Sequence, residues 1–117
     1  MEKREKLAEC EEMIMSILWS SEEDLDLMTV IDKAKERFGK EWKLQTVATF
    51  MTRLEKKKYI DIYKIGRYSH YHPIVKLDEY RKEKMEEVCM LLFGGDWKKM
   101  MEFLGQIDSV QDFVIGD

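Results

Sequence analysis

Apolar residues recur at helical spacing in three stretches of the first half of the chain. The first contains Cys10, Met13, Ile14, Ile17 and Leu18 and ends near Trp19; the second contains Leu27, Val30, Ile31, Ala34 and Phe38; the third contains Val47, Phe50, Met51 and Leu54. Spacings of three and four residues place each set on one side of an amphipathic helix. Gly39 marks the end of the second helix, because glycine commonly terminates helices. The pattern predicts three helices, the third spanning residues 43–58.

The period changes to two after the third helix. Ile60 and Ile62 alternate with polar neighbours, and the residues from Tyr68 onward alternate again on a return strand. Gly66 permits a tight turn between the two runs, and Pro73 is tolerable only at a strand end or edge. Three helices followed by a β-hairpin that turns at residues 66–67 is the order of elements in a winged helix.

Helical spacing returns after the hairpin. Asp78 is the expected N-cap of a fourth helix, Gly94-Gly95 breaks the pattern, and Ile107, Val110 and Val114 suggest a last short helix. The apolar stripes are long for the core that a single small chain offers. We therefore expect a second copy to cover them in a two-fold dimer, the alternative being that they fold back onto their own domain. The predicted dimerisation residues are Tyr80, Met85, Val88, Cys89, Leu92, Phe93, Trp97, Met100, Met101 and Leu104.

The resulting fold class is mainly α with a small β-hairpin. A winged helix-turn-helix domain is expected at residues 1–76, and C-terminal dimerisation helices at residues 77–117. The chain has 117 residues, and no apolar run approaches the roughly 20 residues that span a bilayer. No signal-peptide core follows the N-terminus, so we expect a cytoplasmic protein with no membrane insertion. Cys10 and Cys89 lie in apolar stripes and are expected to be buried free thiols.

The outer side of the third helix is polar and almost free of acids. Gln45, Thr49, Thr52 and Lys56 lie opposite the apolar stripe, with Thr46 and Arg53 beside them. Such side chains bond base edges and phosphates. This helix and the basic hairpin after it therefore suggest a reader of double-stranded DNA. The predicted DNA-contacting residues are Lys43, Gln45, Thr46, Thr49, Thr52, Arg53, Lys56, Lys57, Lys64, Arg67 and Tyr68.

Charge is divided unevenly along the chain. The whole chain is acidic, with 20 Lys and Arg against 24 Asp and Glu. Residues 27–76, however, hold 12 Lys and Arg against 5 Asp and Glu, and the remainder holds 8 against 19. A basic segment between acidic ones is the electrostatic pattern of a nucleic-acid binder, although a solvated lysine-rich helix would look similar. The charge supports DNA binding only in combination with the Gln/Thr/Arg face.

Three alternative functions carry less support. A winged helix can serve as a protein–protein adaptor, but an adaptor would more often expose acidic or apolar residues on the third helix. His70 and His72 could form a metal pair, yet their spacing matches no standard zinc pattern. The sequence contains no phosphate-binding glycine loop, nucleophile elbow or catalytic-triad signature, so neither an enzyme nor a cofactor is expected.

Five segments together resemble the penicillinase-repressor family of bacterial regulators (BlaI/MecI/CopY). They are Glu11 with Met15-Ser-Ile-Leu-Trp19, Thr46-Val-Ala-Thr-Phe-Met-Thr-Arg-Leu-Glu-Lys-Lys57, Gly66-Arg-Tyr-Ser-His-Tyr-His-Pro73, Asp78-Glu-Tyr-Arg-Lys-Glu83 and Leu92-Phe-Gly-Gly-Asp96. The resemblance covers about residues 9–104 in matching order. It implies a homodimeric repressor that places its third helix in the major groove of a palindromic operator. In this family, repression of antibiotic-resistance genes is relieved when a membrane sensor triggers cleavage in the C-terminal region.

The chain departs from the family pattern at several positions. Ala48 stands where relatives often carry Arg, so the operator sequence does not transfer. Lys43 replaces the usual capping Ser or Asp. The cleavage segment, often Asn-Phe, is Glu102-Phe103-Leu104 here, which leaves induction by proteolysis open. The copper-responsive branch carries a C-terminal Cys-x-Cys cluster that this sequence lacks.

Overall fold

The computed structural model describes residues 4–110 and shows five helices and three strands in that range. In chain order they are α1 (Glu9–Trp19), β1 (Leu25–Asp26), α2 (Leu27–Phe38), α3 (Leu44–Lys56), β2 (Ile60–Ile65), β3 (Tyr68–Pro73), α4 (Leu77–Phe93) and α5 (Trp97–Leu104). The mainly α winged-helix fold predicted from the sequence is confirmed. None of the helices in residues 4–110 combines the length and the apolar character that a bilayer crossing requires.

The chain divides into two compact units, with the boundary after Leu77. The first unit holds α1 to α3 and the three strands, and the second holds α4, all but its first residue, and α5.

The core of the first unit lies where α1, α2 and α3 meet the sheet. Its buried side chains are Ile14, Met15, Ile17, Leu18, Val30, Ala34, Val47, Met51, Leu54, Tyr59, Ile60, Tyr71 and Val75. Full burial of one large apolar side chain contributes about 1.5–3 kcal/mol, so this set supplies the main driving force for folding. Phe38 was predicted to join the core, but it lies in the last turn of α2 and is exposed.

The ends of α2 follow from its sequence. The Asp26 carboxylate accepts a hydrogen bond from the Thr29 amide at 2.9 Å, which satisfies one of the N–H groups that the helix leaves unpaired. Gly39 adopts φ = 66°, and its N–H donates to the Lys35 carbonyl. Few residues other than glycine accept that conformation, so the helix ends where the sequence predicted.

The three strands form an antiparallel sheet in the order β1-β3-β2. The predicted hairpin pairs Ile60 with Pro73 and Ile65 with Tyr68, and it turns at Gly66, where φ is 61°. Strand β1 was not predicted. It pairs Leu25 with Tyr71 and thus lies on the opposite side of β3 from β2. The acidic connection between α1 and α2 is therefore part of the wing sheet.

In the part of the second unit that the structure describes, α4 and α5 are separated by Gly94-Gly95, where the sequence predicted a break. Asp96 caps α5 by accepting from the Lys98 amide at 2.9 Å, and the Phe93 and Phe103 rings lie 5.7 Å apart. The prediction that Asp78 caps α4 was wrong, because α4 begins one residue earlier and Asp78 lies in its first turn. Residues 108–110 are helical, and Val114 lies outside the described residues.

The predicted dimerisation residues fall into three groups. Met85, Leu92, Trp97 and Met101 are exposed, and Tyr80, Val88, Phe93 and Leu104 are half-buried. Cys89 and Met100 are buried within their own chain, so little of either side chain is accessible to a second copy. Periodicity identifies an apolar stripe without distinguishing the side chains that pack inside the chain from those left for a partner. Cys10 and Cys89 are both free thiols, and Cys10 is only half-buried.

Candidate nucleic-acid interface

Helix α3 presents a polar face to solvent and an apolar face to the core. Gln45, Thr49, Thr52 and Lys56 are exposed, whereas Val47, Met51 and Leu54 have at most 1% of their surface accessible. Successive residues of a helix are rotated by about 100°, which places the first four on one side and the other three opposite. Arg53 is also exposed, and Thr46 is half-buried at the margin of the polar face.

The two exposed threonines on this face use their hydroxyl protons within the helix. Thr49 Oγ1 donates to the Gln45 carbonyl at 2.9 Å, and Thr52 Oγ1 donates to the Ala48 carbonyl at 3.0 Å. A threonine bonded in this way still offers an oxygen lone pair and a methyl group. In this geometry, Thr49 and Thr52 are suited to accept hydrogen bonds or to contact methyl groups rather than to donate.

The start of α3 is held by aromatic packing instead of a side-chain cap. Lys43 occupies the N-cap position, and its side chain caps no backbone N–H, as the sequence predicted. The rings of Trp42 and Phe50 lie 5.3 Å apart at 69°, an edge-to-face contact that fixes the chain entering the helix. The Lys43 side chain is exposed beside the positive end of the helix dipole. Both features favour an anion at this end of α3.

We call β2, β3 and the turn between them the wing, and it exposes its cations near the turn. Lys64, Arg67 and Tyr68 are all exposed at the ends of β2 and β3, together with the apolar side chain of Ile65. Lys64 pairs with Ser69 in the hairpin, so it stands one position before the last pair of the ladder. The predicted wing cations are thus accessible to a ligand.

A groove of about 260 Å³ lies where the starts of α2 and α3 approach the wing turn. It is lined by Asp26, Leu27, Met28, Leu44, Arg67, Tyr68 and Ser69. Its mostly apolar lining suits the carbon face of a sugar, and the Arg67 guanidinium suits a neighbouring phosphate. Met28 and Leu44, which are half exposed, were not predicted as part of this site, because the DNA-contacting residues were predicted from hydrogen-bonding and charged side chains.

Lys57 does not belong to the exposed cationic set. Its ammonium lies 2.7 Å from Glu11 Oε1 and 2.8 Å from the Lys6 carbonyl, and only 19% of its side chain is accessible. Glu11 Oε1 also accepts from the Ala8 amide at 2.8 Å, with 2% of the side chain accessible. The prediction that Lys57 contacts phosphate is therefore withdrawn. Its geometry instead connects the end of α3 to the start of α1.

His70 and His72 lie on the solvent side of the wing sheet. Within residues 4–110, no group of three or more His, Cys, Asp and Glu side chains is arranged to hold a metal ion. His72 Nδ1 instead lies 2.9 Å from Asp24 Oδ1, and the Tyr63 hydroxyl donates to Asp24 Oδ2 at 2.6 Å. The Tyr63 hydrogen bond, aided by His72 and His70, lowers the pKa of the Asp24 carboxyl despite the opposing effect of burial.

Comparisons with known proteins agree with this geometry. The family model described as penicillinase repressor matches residues 7–112. The solution structure of the DNA-binding domain of the repressor BlaI is 25% identical, with a TM-score of 0.56, and the match covers 68% of this chain and 94% of that one. No curated protein is a significant match.

A second solved structure gives the same result in the presence of DNA. Monomeric BlaI from Bacillus licheniformis in complex with the blaP half-operator is 25% identical, with a TM-score of 0.54 and the same coverage of 68% and 94%. The resemblance inferred from the sequence motifs is thus confirmed by a family match over nearly the whole chain and by the winged-helix fold: the protein belongs to the penicillinase repressor family.

Proposed function

We propose that the protein represses transcription by binding a palindromic operator as a homodimer. Its family is one of DNA-binding transcriptional repressors rather than of enzymes. The observation that carries the proposal is the exposed polar face of α3. This face is formed by Gln45, Thr49, Thr52 and Lys56 and contains no acidic residue. The half-operator complex of BlaI, a protein with the same fold, supports DNA as the ligand. An occupied operator excludes polymerase, so repression requires no catalysis.

The proposed base contacts come from the first turns of α3. Gln45 can pair with adenine through two hydrogen bonds, and Thr46, Thr49 and Thr52 can contact thymine methyl groups or bond bases. Arg53 lies further along the helix, and recognition helices read bases mainly with their first turns, so we assign it to a phosphate. The proposed phosphate contacts also include Lys43, Lys56, Lys64 and Arg67, with Tyr68 packing along the backbone beside the wing.

The proposed dimer rests on the second unit. Met90, Leu91 and Leu92 are consecutive in α4, and each has 65% or more of its surface accessible. Consecutive helical residues point in directions about 100° apart, so a flat partner surface cannot cover all three. A helix that is apolar on every side is normally surrounded by protein. We infer that the α4–α5 unit of a second copy encloses these side chains. Two-fold symmetry then sets half-sites about 10 base pairs apart, or a multiple of that distance.

Relief of repression by a membrane sensor protease belongs to the same proposal. The family's cleavage region corresponds here to Glu102-Phe103-Leu104, which forms the last turn of α5. Glu102 and Phe103 are exposed. Helix ends open more readily than helix centres, so this turn is the accessible place for cleavage.

Fluorescence-anisotropy titration with a duplex carrying the inverted repeat beside the protein's own gene tests the proposal. Affinity should fall steeply with salt, because each neutralised phosphate releases counterions. Lys64→Ala should reduce the slope of log K against log salt by about 0.9, the value for one lost phosphate contact. Lys98→Ala, which removes an exposed lysine of the second unit, is the matched control and should leave the slope unchanged. Absence of binding to any duplex at low salt would instead favour a protein–protein adaptor.

A further inference from the structure

Asp24 lies in the acidic run between α1 and α2, immediately before β1. Its two carboxylate oxygens have different partners. Oδ2 accepts from the Tyr63 hydroxyl on β2 at 2.6 Å, and Oδ1 lies 2.9 Å from His72 Nδ1 on β3. A carboxylate can only accept, so His72 Nδ1 carries the proton of this hydrogen bond. We refer to the two hydrogen bonds together as the Asp24 bridge.

The Asp24 bridge spans all three strands. Strand β3 is central in the sheet, so Tyr63 on β2 must reach across it to meet a residue that precedes β1. Tyr63 pairs with His70 in the ladder, and the two rings stack at 5.7 Å with an angle of 24° between their planes. The stacked ring directs the Tyr63 hydroxyl toward Asp24. The bridge thus fixes the outer strand of the wing to the connection between α1 and α2.

The part of the wing beyond the bridge is exposed. The half of the hairpin away from the turn is held by two buried side chains, Ile60 at the start of β2 and Tyr71 within β3. Beyond Tyr63, β2 and the turn expose Lys64, Ile65 and Arg67. Among residues 4–110, strand β2 pairs with β3 alone and is an edge strand, so its direction depends on side-chain contacts of this kind.

We propose that Asp24 is a positioning residue for DNA binding, whose bridge to Tyr63 and His72 aims the wing cations Lys64 and Arg67 at the phosphate backbone. This inference rests on the proposed function. The proposed effect of Asp24 on DNA affinity is opposite to the effect expected from its charge, because an acidic side chain near a DNA interface would ordinarily weaken binding. The mutual hydrogen bond is also the first cause of the lowered pKa of Asp24 and the raised pKa of Tyr63.

Anisotropy titrations of substituted full-length chains test the bridge. Asp24→Ala should bind the operator about tenfold more weakly than wild type, since it removes hydrogen bonds to a charged group and loosens the wing. Glu23→Ala removes the same charge from the neighbouring exposed residue and should bind as tightly as wild type or slightly more tightly. Tyr63→Phe changes no charge and should also weaken binding. The double variant should be no weaker than Asp24→Ala, because both substitutions break the same bridge.

Two readouts distinguish positioning from a general loss of stability. Asp24→Ala should reduce the slope of log K against log salt by about 1–2, as Lys64 and Arg67 lose their phosphates, whereas partial unfolding would lower affinity without changing the slope. Asp24→Asn should recover most of the affinity, because its amide can still accept from Tyr63. In the DNA-free protein, hydrogen exchange should accelerate in β2 and β3 of Asp24→Ala and remain unchanged in the cores of α1 and α3.

Each unfavourable outcome has a separate meaning. If the wild-type chain binds the operator, equal affinities of Asp24→Ala and Glu23→Ala would overturn the positioning role of the bridge. The proposed function would then remain intact. An unchanged salt slope in a weakened Asp24→Ala chain would likewise overturn positioning. A wild-type chain that binds no duplex at low salt would overturn the proposed function and, with it, this inference.

Discussion

Glu11 is a carboxylate almost completely removed from water, and its position determines how α3 is held. Only 2% of its side chain is accessible, and it binds both the Lys57 ammonium and the Ala8 amide. A buried ion pair contributes little net stability compared with an apolar pair. Loss of one partner, however, is strongly destabilising, because it leaves an uncompensated charge buried in the protein. The Glu11–Lys57 ion pair therefore fixes the position of the end of α3 relative to the start of α1.

The neighbouring lysines Lys56 and Lys57 should behave differently on substitution. Lys57→Met leaves the Glu11 carboxylate buried without its ammonium, and it should lower the free energy of unfolding by about 3 kcal/mol. Lys56→Met alters an exposed side chain and should change that free energy by no more than about 0.5 kcal/mol. Urea denaturation of the two variants measures the difference. Equal stabilities would show that the Glu11–Lys57 pair has no structural role.

At the scale of the element, the side of α3 that packs in the core is distinct from the side proposed to contact DNA. Its buried side fixes the helix against α1 and α2, and its exposed threonines hold their hydroxyl protons inside the helix. The group that Thr49 offers most freely is then its methyl, which matches the methyl of thymine. If Thr49 contacts a base, as proposed, its methyl group is the expected point of contact.

Two near-isosteric substitutions of Thr49 separate its methyl from its oxygen. Thr49→Val keeps a methyl and loses the oxygen, so operator affinity should stay within about twofold of wild type. Thr49→Ser keeps the oxygen and loses the methyl, and it should weaken binding roughly fivefold. Anisotropy titration against the operator measures both. The reverse order of affinities would assign the readout to the oxygen.

The sequence predicted the elements whose signal is local. Stripes at helical spacing located α1 to α5, Gly39 and Gly66 located a helix end and a turn, and period two located the hairpin. Strand β1 was missed because two residues carry no periodicity and its partner Tyr71 is distant in sequence. The roles of Asp24 and Glu11 were missed for the same reason, since their partners Tyr63 and Lys57 lie 39 and 46 positions away.

The candidate interface was predictable only as a set of exposed side chains. The opposition of polar and apolar positions in α3 placed Gln45, Thr49 and Thr52 on the outside, as observed. A lysine count could not separate Lys57 from Lys56, because the difference depends on a carboxylate supplied by another helix. The DNA contacts themselves remain predictions.

At the scale of the whole molecule, the two units differ in charge and in surface. The first unit, residues 1–77, has 15 Lys and Arg against 14 Asp and Glu, whereas the second, residues 78–117, has 5 against 10. The second unit also exposes large apolar side chains, including Leu91, Leu92 and Met101. Large apolar side chains exposed in this number are unusual for a monomer and are typical of an interface.

A charge placed on α4 should separate the proposed dimer. Leu91→Glu would bury an unpaired carboxylate between the two copies, and it should raise the dimer dissociation constant about 100-fold or more. Lys82→Glu places the same residue at an exposed polar position of α4 and should have little effect. Sedimentation equilibrium of both variants and of the wild type measures the constants. A wild-type chain that remains monomeric at about 100 μM, roughly 100-fold above a dissociation constant of about 1 μM, would refute the dimer.

The pairing of β1 with β3 has a consequence for the order in which a nascent chain folds. Leu25 leaves the ribosome 46 positions before Tyr71, the residue it pairs with. At 5–20 residues per second, translation takes roughly 2–9 s to supply the second strand. During that interval α1 and α2 can pack against each other, while β1 in the segment between them has no β3 to pair with. The sheet is therefore completed only after α1 to α3 have been synthesised, and a chain that ends within the hairpin turn has these helices but cannot form the β1–β3 pair.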